Sequence, residues 1–237
     1  TQDTAVPDVA ADAGSSAADA GNTTEAETPA ADTTAEAPAA DSAAAITTNS
    51  ISGWPQASDI TSTAAIVMET STNTVLFSKN ADQQLYPASA VKIMTCLIAL
   101  ENSSLDDQVT MTATGVSGVT DGGASISAQL DEVFTMEQCL YAIMVGSAND
   151  IALQVAEHVG GSVEAFVEKM NARAQELGCT NTVFTNPTGL PDENQHITAH
   201  DMALIMETAM ENETFRTIAA TSSYTIPATN VSGGDRL

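Results

Sequence analysis

From Val91 to Leu100 the chain reads VKIMTCLIAL, and its apolar positions Val91, Ile93, Met94, Leu97, Ile98 and Leu100 cover most of a helical surface. A helix apolar nearly all round is stable only when other segments enclose it. The run is too short for the roughly 18 to 20 apolar residues that a membrane-spanning helix needs, and no other stretch of the sequence reaches that length. The spacing therefore predicts a central helix around which the rest of the chain folds. Lys92 sits inside it, three residues after Ser89, and an ammonium group buried without partners is costly enough to demand an explanation.

The material available to enclose this helix is unevenly spread. Of the 237 residues 43% are hydrophobic, yet residues 1–50 contain no aromatic, no Lys and no Arg. Such a segment cannot bury enough surface to offset the entropy of ordering. We expect residues 1–52 to form a disordered acidic tether and residues 53–237 a single folded domain. The tether holds nine of the acidic residues, and removing them from the formal charge of −25 leaves −16 on the remainder. A balance so acidic argues against nucleic-acid binding and against attraction to anionic lipid. The N-terminus shows no basic start followed by an apolar run. A signal peptide or lipid anchor removed before Thr1 would make the tether a spacer between membrane and domain, which the upstream coding sequence decides.

Along the domain, AIVMETSTNTVLFSKN reads as two strands around the polar Ser71–Thr74, a hairpin. The central helix follows Tyr86-Pro87. A short strand is expected over Gln108–Thr114 and a glycine-rich loop after it. Thr135 and Gln138 have the spacing of a capping box ahead of a helix that stops at Gly146. A further helix is expected from Asp150 to the Gly160-Gly161 break, another from Ser162 to a cap at Gly178, and one more after a Thr198/Asp201 capping pattern. SSYTIP reads as a last strand.

Ser89 and Lys92 share one face of the helix. Burial lowers a lysine's pKa from about 10.4 toward neutrality, and a neutral amine beside a hydroxyl is a general base beside a nucleophile. The ordinary alternative is a lysine snorkelling to solvent, with Ser89 as an N-cap. Ser147-Ala148-Asn149, at a helix–helix junction, can aim a hydroxyl and a carboxamide into a cleft. Its ordinary reading is a cap for the helix from Asp150.

YPASAVKIMT, VGSANDIALQVAEHVGGSVEAFVEKMNARAQELGCTNTVFTNPTGL and TAHDMALIM resemble the serine D-Ala-D-Ala carboxypeptidases, the low-molecular-mass penicillin-binding proteins. That family carries S-x-x-K, S-x-N and K-T-G elements, and the first two match in type and order. The resemblance implies an α/β (α+β) fold of the β-lactamase and penicillin-binding-protein kind, an antiparallel sheet packed with a helical subdomain. It implies that Ser89 attacks the carbonyl between the terminal D-alanines of a peptidoglycan stem peptide, that Lys92 is its general base, that Ser147 relays the proton and that Asn149 binds the substrate amide. It further implies an extracytoplasmic bacterial protein, secreted or tethered to the membrane, acylated by β-lactams and needing no cofactor or metal. The third element has no counterpart, since Lys79, Lys92 and Lys169 are the only lysines and none precedes Thr-Gly or Ser-Gly. We therefore expect a chain truncated before the C-terminal strands, with little or no activity as it stands.

Two other readings remain open on the sequence. A non-catalytic sensor or peptidoglycan-binding module would keep the fold without the third element. A class A β-lactamase shares S-x-x-K but has S-D-N and a deacylating glutamate, where this chain has Ala148 and a carboxylate-free NPTGL. His158, His196 and His200 are expected in solvated or capping roles, and Cys96, Cys139 and Cys179 as buried small hydrophobes with at least one unpaired.

Overall fold

The structure, a computed structural model, describes Gly53, residues 56–118 and residues 123–236. These all belong to the second of the two units into which the chain divides, Thr1–Ser42 and Ala43–Leu237. The expected tether over residues 1–52 lies outside the described residues, as does Trp54.

The hairpin forms as expected. β1 (Ala65–Glu69) pairs antiparallel with β2 (Thr74–Lys79), with an irregularity between Val67 and Met68. Its turn is closed by Glu69, whose carboxylate accepts from the backbone N–H and hydroxyl groups of Ser71 and Thr72. Helix α1 (Val91–Asn102) follows a 3-10 turn over Ala88–Ala90 and is enclosed as its sequence requires, with Val91, Met94, Cys96, Leu97, Ile98 and Ala99 at most 2% exposed.

The chain then makes β3 (Gln108–Thr110), α2 (Ala113–Ser117) and β4 (Val133–Thr135). Helix α2 corrects the expected glycine-rich loop: Thr112 caps it by accepting from the Thr114 N–H, and Gly115 packs where a Cβ would lie 2.5 Å from the end of Met111. The Thr135/Gln138 capping box opens α3 (Met136–Gly146) with both hydrogen bonds present. Helix α4 (Asn149–Gly160) begins one residue earlier than expected, because Ala148 and not Asn149 is its N-cap. Gly161, at φ 80°, turns the chain into α5 (Val163–Glu176), which Ser162 caps. Helices α6 (Ala199–Glu211) and α7 (Glu213–Ala219) complete the set, and α1 touches α3, α4, α5, α6 and α7. At the start of α6 only half of the expected box forms. Thr198 accepts from the Asp201 N–H, while the Asp201 carboxylate turns to Asn181 and Thr182.

The expected last strand reduces to one bridge, Ile226 to Arg236. Side chains hold this segment instead. Glu132, fully buried, accepts from Thr229 and pairs with Arg236 at 2.8 Å, and Tyr224 stacks on Tyr141 with ring centroids 3.9 Å apart. Among the described residues no helix is long and apolar enough to cross a membrane.

Candidate active site

Ser89 lies in the 3-10 turn before α1, after Ala88, whose φ is 48°. The N-cap of α1 is Ala90 and makes no side-chain cap bond, so the Ser89 hydroxyl is not engaged as a cap. Ser89 is exposed, and its backbone N–H, at the positive end of the helix, has no acceptor among the described residues.

Ser147 closes α3 in the left-handed region at φ 54°, ψ 29°. A non-glycine residue there stores strain, and the effect is to turn its hydroxyl onto Ser89, with Ser147 Oγ donating to Ser89 Oγ at 3.1 Å. Two residues on, Asn149 is 5% exposed and its side chain caps nothing. Asn149 Oδ1 accepts from Lys92 Nζ at 2.7 Å, and the Thr188 carbonyl accepts from the same nitrogen at 2.5 Å. Both ordinary readings fail on this geometry: Lys92 does not snorkel, being 3% exposed, and Asn149 is not a cap.

Burial pushes Lys92 from 10.5 down to about 8, against the pull of the Cys96 thiol one turn along α1. No hydrogen bond joins Ser89 to Lys92 directly among the described residues, so the four side chains form two bonded pairs, Ser89 with Ser147 and Lys92 with Asn149. No carboxylate hydrogen-bonds to any of the four, also among the described residues. The deacylating glutamate of a class A β-lactamase thus has no counterpart in these contacts.

The site has one component the sequence reading did not assign. The turn through Pro187, Thr188 and Gly189 supplies carbonyls to Thr95 Oγ1 and to Lys92. The signal was present in Asn-Pro-Thr-Gly turn chemistry beside a buried lysine that lacked acceptors. A pocket of about 260 Å³ lies against the residues that precede Ser89, lined chiefly by Tyr86, Pro87, Ala88, Leu190 and Pro191. The histidines lie apart from it: His158 is exposed on the last turn of α4, His196 bonds to the Asn194 carbonyl, and His200 is 3.7 Å from Asp82. The three cysteines are free and buried, and burial pushes their thiols up, Cys179 to about 12.

The sequence profile of the D-alanyl-D-alanine carboxypeptidases matches residues 51–232. The chain belongs to this family. It is 36% identical over 163 residues to the D-alanyl-D-alanine carboxypeptidase DacF of Bacillus subtilis, covering 67% of this chain and 41% of that one. With the D-alanyl-D-alanine carboxypeptidase of a Streptomyces species it shares 31% identity over 186 residues, 75% of this chain and 64% of the relative. The crystal structure of the Streptomyces K15 DD-transpeptidase superposes with a TM-score of 0.70 at 30% identity, over 75% of this chain and 72% of that one. Penicillin binding protein 5 of Haemophilus influenzae gives 0.67 at 28% identity, over 77% and 53%. The penicillin-binding-protein fold expected from the sequence is therefore the fold of this D-alanyl-D-alanine carboxypeptidase family member, which spans between two fifths and two thirds of the length of these two curated relatives.

Proposed function

We propose that this chain carries the acylating half of a serine-type D-Ala-D-Ala carboxypeptidase acting outside the cytoplasm on peptidoglycan stem peptides. The observation that carries the reading is the convergence of Ser89, Lys92, Ser147 and Asn149, brought from the 3-10 turn before α1, α1 itself, the α3–α4 junction and α4 into two hydrogen-bonded pairs. Ser89 Oγ attacks the carbonyl carbon between the two terminal D-alanines. Lys92 Nζ, as the general base, takes its proton. With Lys92 titrating at about 8, roughly a tenth of it is neutral at pH 7 and able to accept that proton.

The tetrahedral oxyanion is stabilised by the unengaged Ser89 N–H at the helix start. Asn149 gives its oxygen to Lys92 and leaves its amide N–H groups for a substrate carbonyl. Collapse of the intermediate breaks the C–N bond, and Ser147 hands the proton to the departing D-alanine amine. The product is an ester on Ser89, which water then hydrolyses. A β-lactam, which presents a strained amide in place of the peptide, acylates the same oxygen.

Labelling with a fluorescent penicillin tests the reading. Covalent label on the wild-type chain, absent from Ser89→Ala and strongly slowed in Lys92→Ala, is the expected result. Label that survives Ser89→Ala, or a folded wild-type chain that takes none, sinks it.

A further inference from the structure

Thr188 and Gly189 reach the site from a turn outside any helix or strand, shaped by two side-chain amides. Gln195, 2% exposed, accepts from the N–H groups of Thr185 and Asn186 at 3.1 and 3.2 Å. Asn186 Oδ1 accepts from the Thr188 N–H at 3.2 Å, the Thr188 hydroxyl at 2.8 Å and the Gly189 N–H at 2.8 Å, while its Nδ2 donates to the Leu190 carbonyl at 3.1 Å. An asparagine side chain thus replaces the backbone as the organiser of the turn.

Two carbonyls are left for other partners. Pro187 receives the Thr95 hydroxyl at 2.7 Å and Thr188 receives Lys92. Gly189, at φ 81°, lies so close to the nucleophile's turn that a Cβ would fall 1.8 Å from the Ala88 carbonyl oxygen and 2.9 Å from the Ser89 nitrogen.

We propose that Asn186 and Gln195 are positioning residues for the Lys92 and Ser89 pair, folding Thr185–Leu190 so that one carbonyl seats the Lys92 amine while glycine abuts the Ser89 turn. The proposal rests on the reading of Lys92 as the base. Neither amide hydrogen-bonds to Lys92 or Ser89 among the described residues; both act through Thr188 and Gly189. Removing the Asn186 oxygen frees three donors, the turn loosens, and water reaches Nζ. Water replaces the Thr188 carbonyl as an acceptor of similar quality, so the change left over is relief of burial, which raises the proton affinity of Lys92. Cys96 is the titratable group acting on Lys92, and these substitutions leave it in place.

The chain has three lysines, so NMR of carbon-13-labelled lysine gives three titrating signals, that of Lys92 being the one absent from Lys92→Arg. Asn186→Ala and Gln195→Leu, the second keeping the buried volume, are expected to raise the Lys92 midpoint from about 8 by about one unit, a tenfold change in proton affinity. Gln154→Ala removes another buried amide, one that accepts from Thr112 far along the chain from the turn. It is expected to lower the melting temperature and leave the midpoint unmoved. A midpoint that holds its wild-type value in both turn variants, or that moves as far in Gln154→Ala, overturns the proposal. The titration needs no turnover: midpoints that move in a chain penicillin never labels uphold the positioning and refute the enzyme reading.

Discussion

Lys92 binds its proton less tightly in the folded chain than in the unfolded one, because burial lowers its titration from 10.5 to about 8. Below pH 8 both states are charged and the fold bears the full cost of the buried ammonium; above pH 10.5 both are neutral and the cost is gone. Stability therefore rises with pH across that window, by about 3 kcal/mol at the rate of 1.36 per unit. Denaturant unfolding of wild type against Lys92→Met at pH 7.5 and pH 10.5 checks this: the wild type is expected to gain on the variant as pH rises, and a parallel pair of curves contradicts it. Glycines give a second contrast at this scale. Gly161 and Gly189 share a left-handed φ near 80°, but a Cβ at Gly161 meets open space and one at Gly189 meets the Ala88 carbonyl. Gly161→Ala is expected to cost about 1 to 2 kcal/mol from backbone conformation alone, and Gly189→Ala distinctly more together with loss of penicillin labelling. Equal melting temperatures for the two variants would contradict the close approach. Ser89, Lys92, Ser147 and Asn149 were legible in sequence because their S-x-x-K and S-x-N spacings stand together inside text that resembles the carboxypeptidase family; the spacings alone left the ordinary readings open. Thr188 was not, since its contribution is a carbonyl that every residue possesses.

Elements declared themselves where a side chain ends them. The Thr135/Gln138 box, Ser162 and Gly161 fix the bounds of α3, α4 and α5 within a residue, the box through the two bonds its spacing implied and the glycine through the break it marks. Segments that lack such marks were misread or missed: α2 begins at a threonine with no partner three residues on, and β4, which no expectation covered, is three residues long, below the length at which alternation carries a signal. The hairpin yields a prediction of its own. Four donors from Ser71 and Thr72 hold the Glu69 carboxyl well below its usual 4.5, at about 2. A depressed carboxyl stabilises the turn fully above pH 4.5, and the contribution fades as pH falls toward 2. NMR titration of the Glu69 carboxyl carbon is expected to show a midpoint near 2, with hydrogen exchange of the Ser71 and Thr72 amides accelerating in the same range relative to other hairpin amides. A midpoint near 4.5 would mean that the turn does not close on Glu69.

On the scale of the molecule, a buried carboxylate is among the contacts that hold the C-terminal segment. Arg236→Ala leaves Glu132 fully buried with its charge uncompensated, a change worth about 3 to 5 kcal/mol. Limited proteolysis is expected to cut within 222–236 in that variant and to spare the wild type; equal resistance would show that the Tyr224–Tyr141 stack suffices. This closure was illegible in sequence, because Glu132 and Arg236 stand 104 residues apart and neither belongs to a periodic pattern. The same kind of separation governs the site. The acceptors of Lys92 lie 57 and 96 residues along the chain, so neither can arrive until long loops have closed, the slow step of folding. A nascent chain that has emerged only as far as α5 holds Ser89, Lys92, Ser147 and Asn149 in order and still lacks the carbonyl that seats the amine. Its lysine has one of its two acceptors still to come, so the burial that lowers its titration is complete only when that turn docks, and on the proposed function the Lys92 titration becomes a clock for the completion of folding.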